Sequence, residues 1–61
     1  MMKITLPKYE KKQDVLFGDN KATIRNMQFD SENNLWRYEI ENKLIKFRAW
    51  VKEFEITKKI S

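Results

Sequence analysis

Arg37, Arg48 and Trp50 are the side chains of this sequence best equipped to meet a partner. A tryptophan offers a flat apolar face on which a base can stack, and a guanidinium is a fork of donors that fits phosphate or carboxylate oxygens. Gln28, Lys46 and Lys52 add an amide and two ammonium groups. Carried on adjacent extended strands, Gln28, Arg37, Lys46, Arg48, Trp50 and Lys52 form one basic and aromatic surface suited to single-stranded or distorted nucleic acid, where each stacked base contributes about 1–3 kcal/mol. Two arginines opposed across a strand pair repel, and an anion between them relieves the repulsion. Tryptophan and arginine also dominate protein interfaces, so Leu35, Trp50 and Leu44 define the alternative of a protein partner or self-association. A plainer arrangement has Arg48 stacked on Trp50 while Arg37 points into water.

Catalysis finds little support. The chain has no cysteine and no histidine, which removes thiolate nucleophiles, imidazole bases and the commonest zinc ligands. Glu39, Glu41, Glu53 and Glu55 are the candidate acids or bases, and each has a lysine nearby or fits a solvated face. The expectation is a binding protein, not an enzyme, without metal or cofactor. Thirteen Lys and Arg against nine Asp and Glu give a net charge of +4, which favours polyanions. No apolar run has the length of a membrane span or leader, and the absence of cysteine fits a reducing compartment. A cytoplasmic protein without a membrane partner is expected.

The elements that must position these residues follow from periodicity. A chain of 61 residues holds one domain and buries only about 60% of its unfolded surface, so its core must be small. Two Trp, two Tyr and four Phe suit that need, at roughly 150–250 Å² buried per ring. Residues 1–12 form a basic N-terminal segment with Lys3, Lys8, Lys11 and Lys12 against Glu10, and Pro7 interrupts the apolar pair Ile4 and Leu6. This is an edge strand and connector, a solvated tail or a phosphate-seeking arm. Residues 13–61 form the folded domain. Val15 and Phe17 alternate as far as a turn at Gly18-Asp19-Asn20-Lys21.

In residues 22–30, Ile24 is one residue out of phase with Met27 and Phe29, which a bulge at Arg25 or Asn26 corrects. The polar stretch Ser31-Glu32-Asn33-Asn34 closes a hairpin that pairs Phe29 with Trp36 and Met27 with Tyr38. A second turn at Asn42-Lys43 aligns Ile40 with Ile45, Tyr38 with Phe47 and Trp36 with Ala49. One face then carries Trp36, Tyr38, Ile40, Ile45, Phe47, Ala49 and Val51. The other sets Leu35 opposite Trp50, Arg37 opposite Arg48, and Glu39 opposite Lys46. Residues 52–55 form a tight helical turn before a short last strand. The competing pattern is a helix over residues 43–55, because Ile40, Leu44, Phe47, Val51 and Phe54 also recur every three or four residues. It gives an α+β fold and leaves Ile45 and Trp50 off the apolar stripe.

With Gly18-Asp19 in the first turn, Leu35-Trp36-Arg37-Tyr38-Glu39-Ile40 in a central strand and Trp50-Val51-Lys52-Glu53-Phe54-Glu55-Ile56 entering the closing strand, residues 13–60 resemble a small SH3-like barrel of the Tudor, chromo-barrel and KOW type. The resemblance implies an all-β five-stranded barrel with a three-stranded meander and a 3₁₀ turn before its last strand. It further implies a non-enzymatic module binding nucleic acid or protein.

Overall fold

The computed structural model describes residues 5–60. The fold is all-β: β1 (Asp14–Phe17), β2 (Asn20–Asp30), β3 (Leu35–Asn42), β4 (Phe47–Lys52), a 3₁₀ turn (Glu53–Glu55) and β5 (Lys58–Lys59). All strand pairs are antiparallel, in the order β4-β3-β2-β1-β5. The sheet curls but stays open, because β4 and β5 are its edges and do not pair with each other. Phe17 and Phe47 nonetheless stack across the interior, with centroids 6.0 Å apart and planes at 20°.

Each turn has a local cause. Gly18 adopts φ +63°, Asp19 has no positive φ, and Phe17 pairs with Asn20, which is the φ pattern of a II′ hairpin turn. Gly18 N–H also donates to Thr57 Oγ1 at 3.2 Å, tying the turn to the run into β5. The β2–β3 register slips between Ile24 and Asn26, so Arg25 is the extra residue of a bulge and Ile24 shares a face with Met27 and Phe29. Phe29 pairs with Trp36, ring to ring at 5.3 Å, and Met27 with Tyr38, as expected from the alternation.

The two longer loops share one construction. Asp30 Oδ1 accepts from the N–H groups of Glu32 and Asn33, and Asn42 Oδ1 accepts from those of Leu44 and Ile45. In both, the last loop residue turns left-handed, Asn34 at φ 53° and Lys46 at φ 53°. The second loop therefore occupies residues 43–46, not Asn42-Lys43 alone. Ile40 meets Ala49 instead of Ile45, Tyr38 meets Val51 instead of Phe47, and Arg37 meets Lys52 instead of Arg48. Because this displacement is even, the two faces survive and only the lateral neighbours change. Ile45 is the exception, being 59% exposed on the loop. No helix forms over residues 43–55: four loop residues, β4 and the 3₁₀ turn take its place.

The core gathers Tyr9, Val15, Ala22, Ile24, Tyr38, Ile40, Val51 and Ile56, flanked by Phe17, Met27, Trp36 and Phe47. Tyr9 lies in the basic N-terminal segment, for which the sequence leaves open an edge strand and connector, a solvated tail and a phosphate-seeking arm. Its ring packs edge-on against Tyr38 at 5.5 Å, and its N–H donates to Tyr38 Oη at 3.4 Å. Tyr38 Oη in turn donates to Glu53 Oε2 at 2.6 Å, and Lys8 N–H donates to the same oxygen at 3.1 Å. Lys12 N–H donates to the Ile24 carbonyl and Trp36 Nε1–H to that of Thr5. Residues 5–12 are thus strapped across β2 and β3, and they contain no strand. Leu6 is exposed, and Ile4 lies outside the described residues.

Burial first, and then the Glu53 carboxylate it donates to, hold the Tyr38 phenol well above its ordinary value of 10. The folded state therefore keeps a proton that the unfolded chain releases, so this stabilisation is whole below about pH 10 and is lost as pH rises beyond it. Tyr38→Phe should cost about 1–3 kcal/mol in urea unfolding and remove this alkaline dependence. At the left-handed position, Lys46→Gly should relieve the Cβ strain and gain about 0.5–1 kcal/mol net of backbone entropy, read as a melting temperature raised by roughly 3–6 °C.

Candidate functional site

The outward face of β2, β3 and β4 carries the residues singled out from the sequence, in an order set by the four-residue loop. One row across the strands is Gln28, Arg37 and Lys52; the next is Asn26, Glu39 and Trp50; the third joins Glu41 to Arg48. Lys46 stands apart on the loop. Arg37 and Arg48 therefore do not oppose each other, and no arginine repulsion awaits an anion. Leu35 is not opposite Trp50 either, since it pairs with Asp30 at the far end of β3 from Leu44. Leu35, Trp50 and Leu44 do not make a single patch.

Each arginine has an acid. Arg48 binds Glu39 through two contacts, Nε to Oε2 at 3.1 Å and Nη2 to Oε1 at 3.2 Å, while Asn26 Nδ2 donates to the same Oε1 at 2.7 Å. Arg37 Nη2 reaches Asp30 Oδ2 at 2.9 Å, although its buried Nε–H has no acceptor among the described residues. Arg25, brought outward by the bulge, lies 3.5 Å from Glu41. Hydrogen bonds from Asn26 and then Arg48 hold Glu39 below its ordinary value, and the same Glu39 contact raises Arg48. Asn33, through its side chain first, and Arg37 do the same for Asp30. Lys52 Nζ lies 5.8 Å from the Phe54 ring centroid, and its backbone N–H donates to Glu55 Oε1 at 3.1 Å.

What remains open is apolar. Trp50 is 48% exposed on edge strand β4, flanked by Leu44 at 94% on the preceding loop and Phe54 at 73% on the following turn. The sequence reading had Trp50 but missed Phe54. Its signal was present, because a ring between two glutamates in a three-residue turn has little chance of reaching a core. Lys21 and Lys43 line a depression of about 320 Å³ beside Arg25, Glu41 and Leu44, where Asn42 Nδ2 donates to the Lys21 carbonyl. Among the described residues no group of three or more acids is arranged to hold a metal ion, and no helix is long and apolar enough to cross a membrane.

Comparison with protein-family models, with curated proteins and with solved structures finds no match to this chain.

The two depressed carboxylates set an acid limit. Asp30 and Glu39 bind fewer protons folded than unfolded, so their contribution is whole above their ordinary values of 3.8 and 4.5 and fades as pH falls through the lower folded values. Urea midpoints should fall across this range, and Asp30→Asn with Glu39→Gln should flatten the fall.

Proposed function

We propose that this chain is a non-enzymatic binding module of the SH3-like type, taking an extended segment of a protein partner along β4. The strand order, the β2-β3-β4 meander, and a 3₁₀ turn that returns the chain to β5 beside β1 support the SH3-like reading. The lack of cysteine fits a reducing compartment such as the cytoplasm.

The observation that carries the proposal is an open strand edge beside a half-exposed tryptophan. Lys52 N–H donates to Glu55 and not to β3. In an antiparallel pair, residues alternate between bonding their neighbour and facing away, so Trp50 and Arg48, two and four residues earlier, also direct their N–H and C=O groups outward. Among the described residues no backbone group outside β3 bonds to β4. An added strand would satisfy these groups, and Trp50 would anchor one of its apolar side chains. The carboxylates on Arg37 and Arg48 weaken the case for a phosphate partner on this face, because a phosphate would have to displace them.

One observation favours nucleic acid as a second reading, at a different place. Among the described residues Lys21, Lys43 and Lys46 have no acidic partner, and they lie at the end of the sheet that holds the second loop, on a chain of net charge +4. The original set of Gln28, Arg37, Lys46, Arg48, Trp50 and Lys52 would then contribute mainly through Lys46 and Trp50.

The two readings separate in an NMR titration. Peptides selected from a random library on the full chain should shift the Arg48 and Trp50 amides, lose affinity on Trp50→Ala, and keep their Kd within about threefold as salt rises. Oligonucleotide binding that instead shifts residues 21, 43 and 46 and weakens steeply with salt, with no peptide selected, would overturn the protein reading.

A further inference from the structure

We infer that the segment received by β4 is β4 of a second copy of this chain, in an antiparallel pair with its two-fold axis at Ala49. This rests on the reading of β4 as a receptive edge and names its occupant.

Self-complementarity carries the argument. Arg48 and Trp50, whose backbone groups face outward, flank Ala49, so an axis at Ala49 sets Arg48 of one copy against Trp50 of the other in a pair that exchanges backbone hydrogen bonds. The symmetry repeats the exchange on the other side. Ala49 meets itself in the closer, non-bonded type of pair, where a small side chain permits the approach. On the outward face each Trp50 receives the Arg48 guanidinium of the other copy, in cation-π contact, while Arg48 keeps Glu39.

The symmetry extends beyond the strand. Leu44 and Phe54, among the most exposed large apolar side chains of the described residues, stand at equal sequence distance on either side of Ala49. The axis brings the loop of one copy beside the 3₁₀ turn of the other and covers Leu44 with Phe54. Lys43 and Glu55 are likewise equidistant, so the basic loop meets the acidic turn at both ends of the interface. Lys46 and Lys52 also approach, a like-charge contact eased by Lys52 lying against Phe54. The result is a continuous sheet across both copies, with the exposed β4 edges removed.

Sedimentation equilibrium of the full chain should give twice the 7.5 kDa chain mass, with dissociation on dilution. Lys43→Glu and Glu55→Lys each replace two opposite-charge contacts by two like-charge ones and should each weaken the dimer about tenfold, whereas their equimolar mixture regains both contacts and associates as the parent does. Leu44→Lys, at a loop tip where the side chain is 94% exposed, should weaken the dimer with an unchanged circular dichroism spectrum, and it serves where Glu55→Lys fails to fold. A parent chain that stays monomeric at millimolar concentration overturns the inference, and the peptide titration then still decides the wider reading. A dimer indifferent to Leu44→Lys and Lys43→Glu, or a charge-swapped mixture no tighter than either variant alone, overturns it as well.

Discussion

The fold depends on a phenol placed where three parts of the chain meet. Tyr38 is fully buried at the centre of β3, its ring supports Tyr9, and its hydroxyl accepts from Tyr9 N–H while donating to Glu53. A small open sheet has only one concave side to fill, and strands alone leave that side wet. Here the cover comes from residues 5–12 on one flank and the 3₁₀ turn on the other, and both are fastened to the same oxygen. Lys8 N–H completes the junction on Glu53. Buried polar groups that are mutually satisfied in this way specify a single arrangement, because any other leaves a donor or acceptor without a partner.

The legible parts of the fold were those whose local chemistry and long-range pattern agree. Asn34 tolerates the left-handed conformation that ends the first long loop, so the length of that loop, the bulge near Arg25 and the Phe29–Trp36 register could all be read from the sequence. Lys46 occupies the equivalent position in the second loop, where nothing in a lysine signals a positive φ. Asn42-Lys43 then imitated a shorter turn. The real function of Asn42 is to accept from Leu44 and Ile45, as Asp30 does for its own loop. Tyr9 was illegible for a different reason. Its burial depends on a contact across 29 positions of sequence, and the lysines around it match a solvated tail.

The candidate surface was legible in its faces and not in its neighbours. An even displacement keeps every side chain on its own side of the sheet but reassigns each cross-strand partner. Arg37 and Arg48, read as a repelling pair open to an anion, are each paired with a carboxylate from a nearby strand position. Charge counting alone cannot see this, since Asp30, Glu39 and Glu41 look like ordinary solubilising residues until the register is fixed. Trp50 keeps its exposure under either register. What changes is its company, from arginines available to a ligand to an unpaired backbone edge.

The pairing of β1 with β5 has a kinetic consequence. Val15 meets Lys59 and Leu16 meets Lys58, whereas β2, β3 and β4 are joined by short loops. Closing a loop of more than forty residues costs entropy that local hairpins do not, so the meander can form early and the β1–β5 contact late. With two exposed residues in β5, that last contact is also the easiest to release, and local opening should begin there while the Tyr38 junction stays shut.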